Sequence, residues 1–422
     1  MALFFYRIFL LLYKTSAAIL APFNPKVRKW ILGRRNWKWQ WVEKLSTIER
    51  KGKQPTIWMH ASSLGEFEQG SPLLEALRQQ WPESIIIVTF FSPSGYEVRK
   101  NYPLADAIGY LPFDSAWSSP AFVKRIQPDL VIWIKYEYWY YSLKAIADKK
   151  IPLLLVSGIF REDQPFFKWY GGLHRKMLGY FSHFFLQNKL SAQLISPHVP
   201  ADKISIAGDT RFDSVISVAK NWVPNEAITN WLHGAETVIV AGSTWPSDEE
   251  ELVHYAKTHS SIKWVIAPHH IDEDFLQETK SLFGNPTLYS QLPQANPDSN
   301  VLIIDNIGML KYLYKYATIC YVGGGFTGSG IHNSLEAAVY GKPVIHGPEF
   351  SKFLEAQGLL DAGASCVIES ALELEETLNK LLANPAQIEQ MGKAAAQFVH
   401  QHDGATAAIL RYIQEKRLLI KP

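Results

Sequence analysis

Short apolar runs, each followed by a turn and a stretch with helical spacing, succeed one another along this chain and begin afresh at Thr237. The first series is a run at 55–59, then IIIVTFF (85–91), LVIWI (130–134), PLLLVSG (152–158), FFLQ (184–187) and ISIAG (204–208). TVIVAG, KWVIAP, VLIID, TICYVGGG and PVIHG form the second. None alternates strictly between apolar and polar residues, which is how strands read when a parallel sheet is covered by helices on both faces. The pattern predicts two α/β/α domains in tandem, and 422 residues are too many for one ordinary core. The expected boundaries are a leading segment at 1–53, a first domain at 54–215, a linker at 216–233 and a second domain at 234–402. A last helix at 403–422 is expected to pack back on the first domain.

Charge is nearly balanced, with 42 basic and 40 acidic residues, but it is unevenly spread. Segment 1–53 holds twelve Lys and Arg against Glu43 and Glu49, a net of +10, which leaves −8 for the remainder. That distribution excludes a general nucleic-acid binder and points to an anionic surface near the N-terminus. ALFFYRIFLLLYKTSAAILAPF is apolar over about twenty residues, broken by Arg7 and Lys14. The next stretch, NPKVRKWILGRRNWKWQW, is basic and tryptophan-rich rather than small and cleavable, so the expectation is a retained anchor and not a signal peptide. Trp30, Trp37, Trp39 and Trp41, interleaved with Lys26, Arg28, Lys29, Arg34, Arg35 and Lys38, suit rings at lipid headgroups and cations on anionic inner-membrane lipids, on the cytoplasmic side. Spanning and lying in one leaflet both remain open. Cys320 and Cys366 read as buried small hydrophobes of a reducing compartment, and no Cys and His spacing fits zinc, so no metal is expected.

Chemistry concentrates in two places. In WMHASSLGEFEQG (58–70), a strand stops at His60, and Ser71 and Pro72 open a helical stretch, so Glu66 stands where a strand hands over to a helix. In an open α/β sheet that is the mouth of the ligand crevice. Glu66, like Glu68, also fits an ordinary first-turn acid. In YVGGGFTGSGIHNSLEAAVYGKPVIHG, glycines follow a strand and His332, Asn333 and Ser334 begin a helix, which suits an anion, with Glu336 one turn in either for a ribose hydroxyl or to complement the helix dipole. Gly323, Gly325 and Gly328 satisfy GxGxxG, yet the next strand ends without an acid, which disfavours a nicotinamide site. A glycine-rich structural turn is the competing reading. Gly242, Ser243 and Thr244 form a second phosphate candidate, beside a capping box expected from Ser247 and Glu250. Asp272, Glu273 and Asp274 read as helix-start acids. Lys135, Tyr136, Glu137, Tyr138 and Trp139 close a strand and either line a sugar or headgroup cleft or pack an interface. Arg161 and Arg211 are anion contacts or surface ion pairs.

Taken in order, HASSLGE, YEYW, GDTRFD, AGSTWPSDEE, VLIIDNIGML and VGGGFTGSGIHNSLEAAVYGKPVIHGP resemble the ordered motifs of the bacterial 3-deoxy-D-manno-octulosonic acid (Kdo) transferases, over nearly the whole chain. The resemblance implies a GT-B fold, two Rossmann-like domains facing a cleft that closes against water. It implies CMP-Kdo as donor, a lipid A precursor as acceptor, no cofactor or metal, and no obligate protein partner. Glu66 matches the general base. A carboxylate near its reference pKa of about 4.3 is expected to be ionised at neutral pH.

The implied donor contacts are Ser243, Thr244, Pro268, His269, Gly308, Gly325, Ser329, Gly330, His332, Asn333, Ser334 and Glu336, the phosphate resting on Ser243, Thr244 and the amides of residues 329–333. The implied acceptor contacts are Ser63, Gly65, Lys135, Glu137, Arg161 and Arg211. Three departures stand out: the family's P-R-H is Pro268-His269-His270, its G-E-L is Gly308-Met309-Leu310, and Lys135 stands where many members have glutamate. The competing functions are another GT-B enzyme, such as a nucleotide-sugar 2-epimerase or a different lipid-linked glycosyltransferase, and a non-catalytic protein that binds anionic lipid.

Overall fold

The computed structural model describes residues 2–49, 52, 54–135, 137–284, 286–294 and 299–420; Tyr136 lies outside them. The chain divides into two compact units, Met1–Ser214 with Gly404–Pro422, and Val215–Asp403. Among the described residues each unit is built on a seven-stranded, wholly parallel sheet.

The first sheet comprises β1 (Thr56–Ala61), β2 (Ile85–Phe90), β3 (Ala107–Tyr110), β4 (Leu130–Ile134), β5 (Leu153–Gly158), β6 (His183–Leu186) and β7 (Ile204–Ile206). Their order is β3-β2-β1-β4-β5-β6-β7. Successive residues of a strand feed opposite cores: Trp58 and Trp133 enter one, Ile57, Met59 and Ile132 the other, all fully buried. The helix Ala405–Glu415 closes the second of these with Ile409 and Ile413.

The second sheet comprises β8 (Val238–Thr244), β9 (Lys263–Pro268), β10 (Thr287–Leu288), β11 (Val301–Ile303), β12 (Ile319–Val322), β13 (Val344–His346) and β14 (Ser365–Val367), in the order β10-β11-β9-β8-β12-β13-β14. In both sheets the chain reverses direction beside the first strand, between β1 and β4 and between β8 and β12. The carboxyl ends of those four strands are where an open α/β sheet binds ligands.

Two local expectations change. The basic, tryptophan-rich segment folds as helices, α1 (Ala2–Leu20), α2 (Pro25–Leu32) and α3 (Trp37–Ser46), and it is partly core rather than membrane interface. Trp41 is buried against Gly109 of β3, where a Cβ would lie 2.7 Å from the indole, and its Nε1 donates to the Tyr110 carbonyl at 3.2 Å. Trp30 and Arg34 are also buried, whereas Trp39 is exposed.

The helix after β1, α4 (Leu64–Gln80), begins before Ser71 and carries Pro72 inside it. Proline offers no N–H to the carbonyl four residues back. The Ser71 hydroxyl supplies the missing donor, reaching the Glu68 carbonyl at 3.2 Å. The stretch expected as a linker holds the end of the helix Thr210–Lys220 and the helix Glu226–Trp231, and from Val215 it belongs to the second unit.

Candidate active site

In the first unit, Ser63 caps α4 with extended backbone, its Oγ accepting from the Glu66 N–H at 3.4 Å, and the Glu66 carboxylate reaches back to accept from the Ser62 N–H. This reciprocal arrangement is a capping device, and it also fixes the carboxylate at the head of β1. Glu66 is 9% exposed. Burial pushes its pKa up, the nearby Glu137 carboxylate adds to the rise, and the Ser62 amide and Lys135 oppose it, leaving it at about 8. The expectation of an ordinary, ionised carboxylate is thereby corrected: desolvation outweighs the donors.

Glu137, just past β4, is held by side chains from both strands of the switch point. Its Oε1 accepts from the Ser62 hydroxyl at 2.6 Å; its Oε2 accepts from the Trp139 indole at 2.9 Å and lies 3.0 Å from His60 Nε2. On the far side of that ring, Nδ1 lies 2.8 Å from Thr89 Oγ1, which already accepts from the Trp58 indole at 2.8 Å. Nδ1 also lies 3.1 Å from the Thr89 carbonyl, so the ring bridges the end of β2 to the Glu137 carboxylate. Trp133 covers the imidazole at 4.2 Å between ring centroids.

Lys135, past the end of β4, has φ 59°, and two other non-glycine residues near strand ends share the left-handed conformation, Ser157 of β5 at 53° and Ser243 of β8, in the second unit, at 55°. Backbone strain of this kind gathers at ligand sites. Gly65 occupies the first turn of α4.

Two predicted acceptor contacts make bonds of their own. Arg161 is exposed past β5, with its N–H on Gln164. Arg211 pairs with buried Asp209, its Nε at 2.9 Å from Oδ2, in a network that includes Gln187. Of the two readings given to Arg211, this is the ion pair.

Sequence reasoning missed Arg34. Its guanidinium donates to the Phe91 carbonyl at 2.7 Å and lies over the rings of Trp30, Phe91 and Tyr110. Burial lowers its pKa to about 9, and the Glu137 charge is the first of the influences that oppose the fall. Nothing in the local sequence distinguishes it from its exposed basic neighbours.

In the second unit, Ser243 and Thr244 end β8 at a register shift that sets Thr244 against Pro268 of β9. The Thr244 hydroxyl, buried, donates to Glu249 at 2.7 Å and is therefore spent within the protein rather than offered to a phosphate. The expected capping box is also replaced. Asp248 accepts from the Trp245 N–H at 2.9 Å, from the Gly324 N–H at 2.8 Å and from the Tyr321 hydroxyl at 2.8 Å, tying the glycine turn to the helix Pro246–Thr258.

Gly325 packs backbone to backbone on Gly347, where a Cβ would fall 2.6 Å from its Cα, so this glycine serves the turn itself. The helix that follows is a single turn, Leu335–Ala338. The amides of Gly330, Ile331 and His332 are bonded to the carbonyls of Thr327, Glu349 and Gly323. Among the described residues the amides of Ser329 and Asn333 carry no such bond, so the cradle is narrower than the sequence led one to expect. The Ser334 hydroxyl is buried and unpartnered among the described residues, and Asn333 Nδ2 donates to Glu336 at 3.2 Å.

A ring stack crosses the ends of β8, β9 and the glycine turn. Trp245 lies on His269 at 4.7 Å, His269 on His332 at 4.3 Å, and the Trp245 indole donates to His332 Nε2 at 3.1 Å. Burial first, then the neighbouring imidazoles, lower the pKa of His332 to about 4, and His269 is lowered likewise. Both are neutral at neutral pH. Gly308, past β11, has φ 96° and stands two strands from β8. Among the described residues no group of three or more His, Cys, Asp or Glu side chains is placed to hold a metal ion.

Two carboxyl groups stand at the switch point of the first unit and a glycine turn at that of the second, the places where open α/β sheets bind ligands. The family described as 3-deoxy-D-manno-octulosonic-acid transferase (kdotransferase) matches residues 39–214. A Kdo transferase of Chlamydia trachomatis is 30% identical over 82% of this chain and 82% of its own length. The chain belongs to the Kdo transferase family. The Aquifex aeolicus Kdo transferase is 28% identical over 80% of this chain and 89% of its own.

Kdo transferases are glycosyltransferases, and this chain is therefore an enzyme of that class. Its fold is that of the GT-B enzymes: UDP-GlcNAc 2-epimerase from Neisseria meningitidis aligns with a TM-score of 0.61 at 17% identity, covering 85% of this chain and all of that one. Acinetobacter baumannii MurG aligns at 0.52 and 15% identity, covering 85% of this chain and 99% of that one.

Proposed function

We propose that this Kdo transferase moves Kdo from CMP-Kdo to a lipid A precursor, lipid IVA, in lipopolysaccharide biosynthesis, with inversion at the anomeric carbon and Glu66 as general base. The observation that carries the reading is the Glu66 carboxyl, buried at the carboxyl end of β1 and raised to about 8. A base with its pKa near the working pH transfers a proton more effectively than an ordinary carboxylate. In its ionised form Glu66 takes the proton of the acceptor's primary hydroxyl. The oxygen attacks the anomeric carbon from the face opposite CMP, the bond from that carbon to the phosphate oxygen breaks, and CMP leaves as an anion.

Glu137 positions rather than reacts: it fixes His60 and Ser62 and holds the Glu66 proton affinity up, while Lys135 tempers it. The second unit takes the donor, with Ser243, the amides of Ser329 and Asn333, and Glu336 as contacts. His269 stands where the family has an arginine and is stacked between Trp245 and His332, so recognition there relies on ring faces and N–H donors rather than on a cation.

The apolar helix α1 attaches the protein to the cytoplasmic face of the inner membrane.

The test is Kdo transfer from CMP-Kdo, generated in situ, to tetraacylated lipid A precursor, for wild type and Glu66→Gln, with and without EDTA. The expected result is product from wild type, a fall of about a hundred- to ten-thousandfold for the variant and no effect of EDTA. Wild-type product mass counts the sugars added. A well-folded wild type that makes no product, but epimerises a nucleotide sugar, would overturn the reading.

A further inference from the structure

The helix α1 docks on the first unit by a narrow seam, Leu3, Tyr6, Leu10, Tyr13 and Ala17, spaced three and four residues apart. Polar contacts fix its first half: the Tyr6 hydroxyl donates to Asp114 at 2.8 Å, and Arg7 Nε donates to the Tyr141 hydroxyl at 2.7 Å. Phe4, Phe5, Phe9, Leu11 and Leu12 remain half or more exposed. Between this helix and the helix Gly172–Leu178 runs a cavity of about 570 Å³, lined by Phe5, Phe9, Trp139, Tyr170, Leu173 and Met177 among others.

One lining residue belongs to the site already described. The Trp139 indole donates to Glu137 and its ring stacks on Phe91 at 4.8 Å, so the groove ends against the cluster that sets the proton affinity of Glu66. The opposite wall is α1, continuous with the exposed apolar face. Trp169, Tyr170 and the exposed Lys176 stand beside the groove, rings and a cation where a lipid headgroup region would lie.

We propose that this groove holds one acyl chain of the lipid-linked acceptor, drawing the sugar hydroxyl toward Glu66 from the membrane side. The inference rests on the transfer reading above and adds the subsite that distinguishes an acylated from a bare acceptor. An aqueous route to Glu66 would have no use for an apolar groove open along the outward face of α1.

The test compares kcat/KM for tetraacylated and fully deacylated lipid A precursor in detergent micelles, for wild type, Leu173→Trp, which fills the groove, and Phe9→Ala, which removes an exposed wall and leaves the core alone. The expected result is a wild-type preference for the acylated acceptor that falls about tenfold in both variants, the effect of losing one apolar contact surface. Thermal unfolding and binding to anionic phospholipid vesicles are measured on the same proteins. An unchanged preference in folded variants overturns the proposal. So does a loss confined to vesicle binding, which would assign the groove to bulk lipid. Wild type that uses neither acceptor overturns the transfer reading itself, an outcome distinct from transfer to both acceptors without preference.

Discussion

Burial is the first cause of the rise in the Glu66 carboxyl, and the Glu137 carboxylate is the second. Because the base must be ionised to accept a proton, kcat/KM at subsaturating acceptor is expected to climb with pH along a limb centred near 8, instead of being flat above pH 5. Glu137→Gln removes the like charge and is expected to move that limb to lower pH; Lys135→Met removes the opposing cation and moves it higher. A wild-type limb at pH 4 to 5 would show that the site is wetter than its burial implies. The position of Glu66 was legible from a serine and a glycine set between a strand and a glutamate. Its proton affinity was not, because its burial is set by the folded unit as a whole and Glu137 arrives from a strand seventy residues further on. Asp248 shows the same limit from the other side: its partners Gly324 and Tyr321 lie far along the chain, and the local pattern favoured Ser247 and Glu250.

Strands were the easiest elements to read, since runs such as LVIWI have both faces buried and need no turn chemistry to be recognised. The short edge strands β3 and β10 were missed because four or two residues, one of them Gly109, carry little pattern. For α4 the misleading residue was Pro72, which ordinarily marks a helix start. Here the Ser71 hydroxyl bonds the Glu68 carbonyl that the proline leaves without a donor, and the helix runs through. Ser71→Ala is therefore expected to destabilise the protein by about 1 kcal/mol, the usual worth of such a bond, read as a shift in urea midpoint at constant slope. A neutral result would mean that water serves the carbonyl equally well. Helix Leu335–Ala338 was legible as a helix start but not as a single turn, because three amides of the preceding loop are consumed by carbonyls from the glycine turn and from beyond β13.

At the scale of the molecule, the doubled rhythm of strand and helix and the basic first fifty residues were both plain in the sequence. What the basic segment does was not. Trp30, Arg34 and Trp41 are built into the first unit, so a deletion of residues 1–53 would remove core as well as anchor. The helix α1 has 19 residues, about 28 Å at 1.5 Å each, enough to cross a bilayer core of about 30 Å. Its contacts argue for a different placement. Tyr6 and Arg7 near one end, and Tyr13 and Ala17 near the other, all rest on the same unit, and Asp114, which receives Tyr6, also accepts from the N–H groups of Tyr141 and Ser142. A helix standing across the membrane would have to abandon that seam or drag buried polar groups into hydrocarbon, at a cost of several kcal/mol. An in-plane helix keeps the seam and sinks only its exposed apolar face. Single cysteines at Ala2 and at Leu20, in a protein with Cys366→Ser and the buried Cys320 kept, are accordingly expected to react with a membrane-impermeant maleimide from the same side, in inverted inner-membrane vesicles and not in intact cells. Labelling of the two positions from opposite sides would establish a crossing helix and would require the seam to open in the membrane.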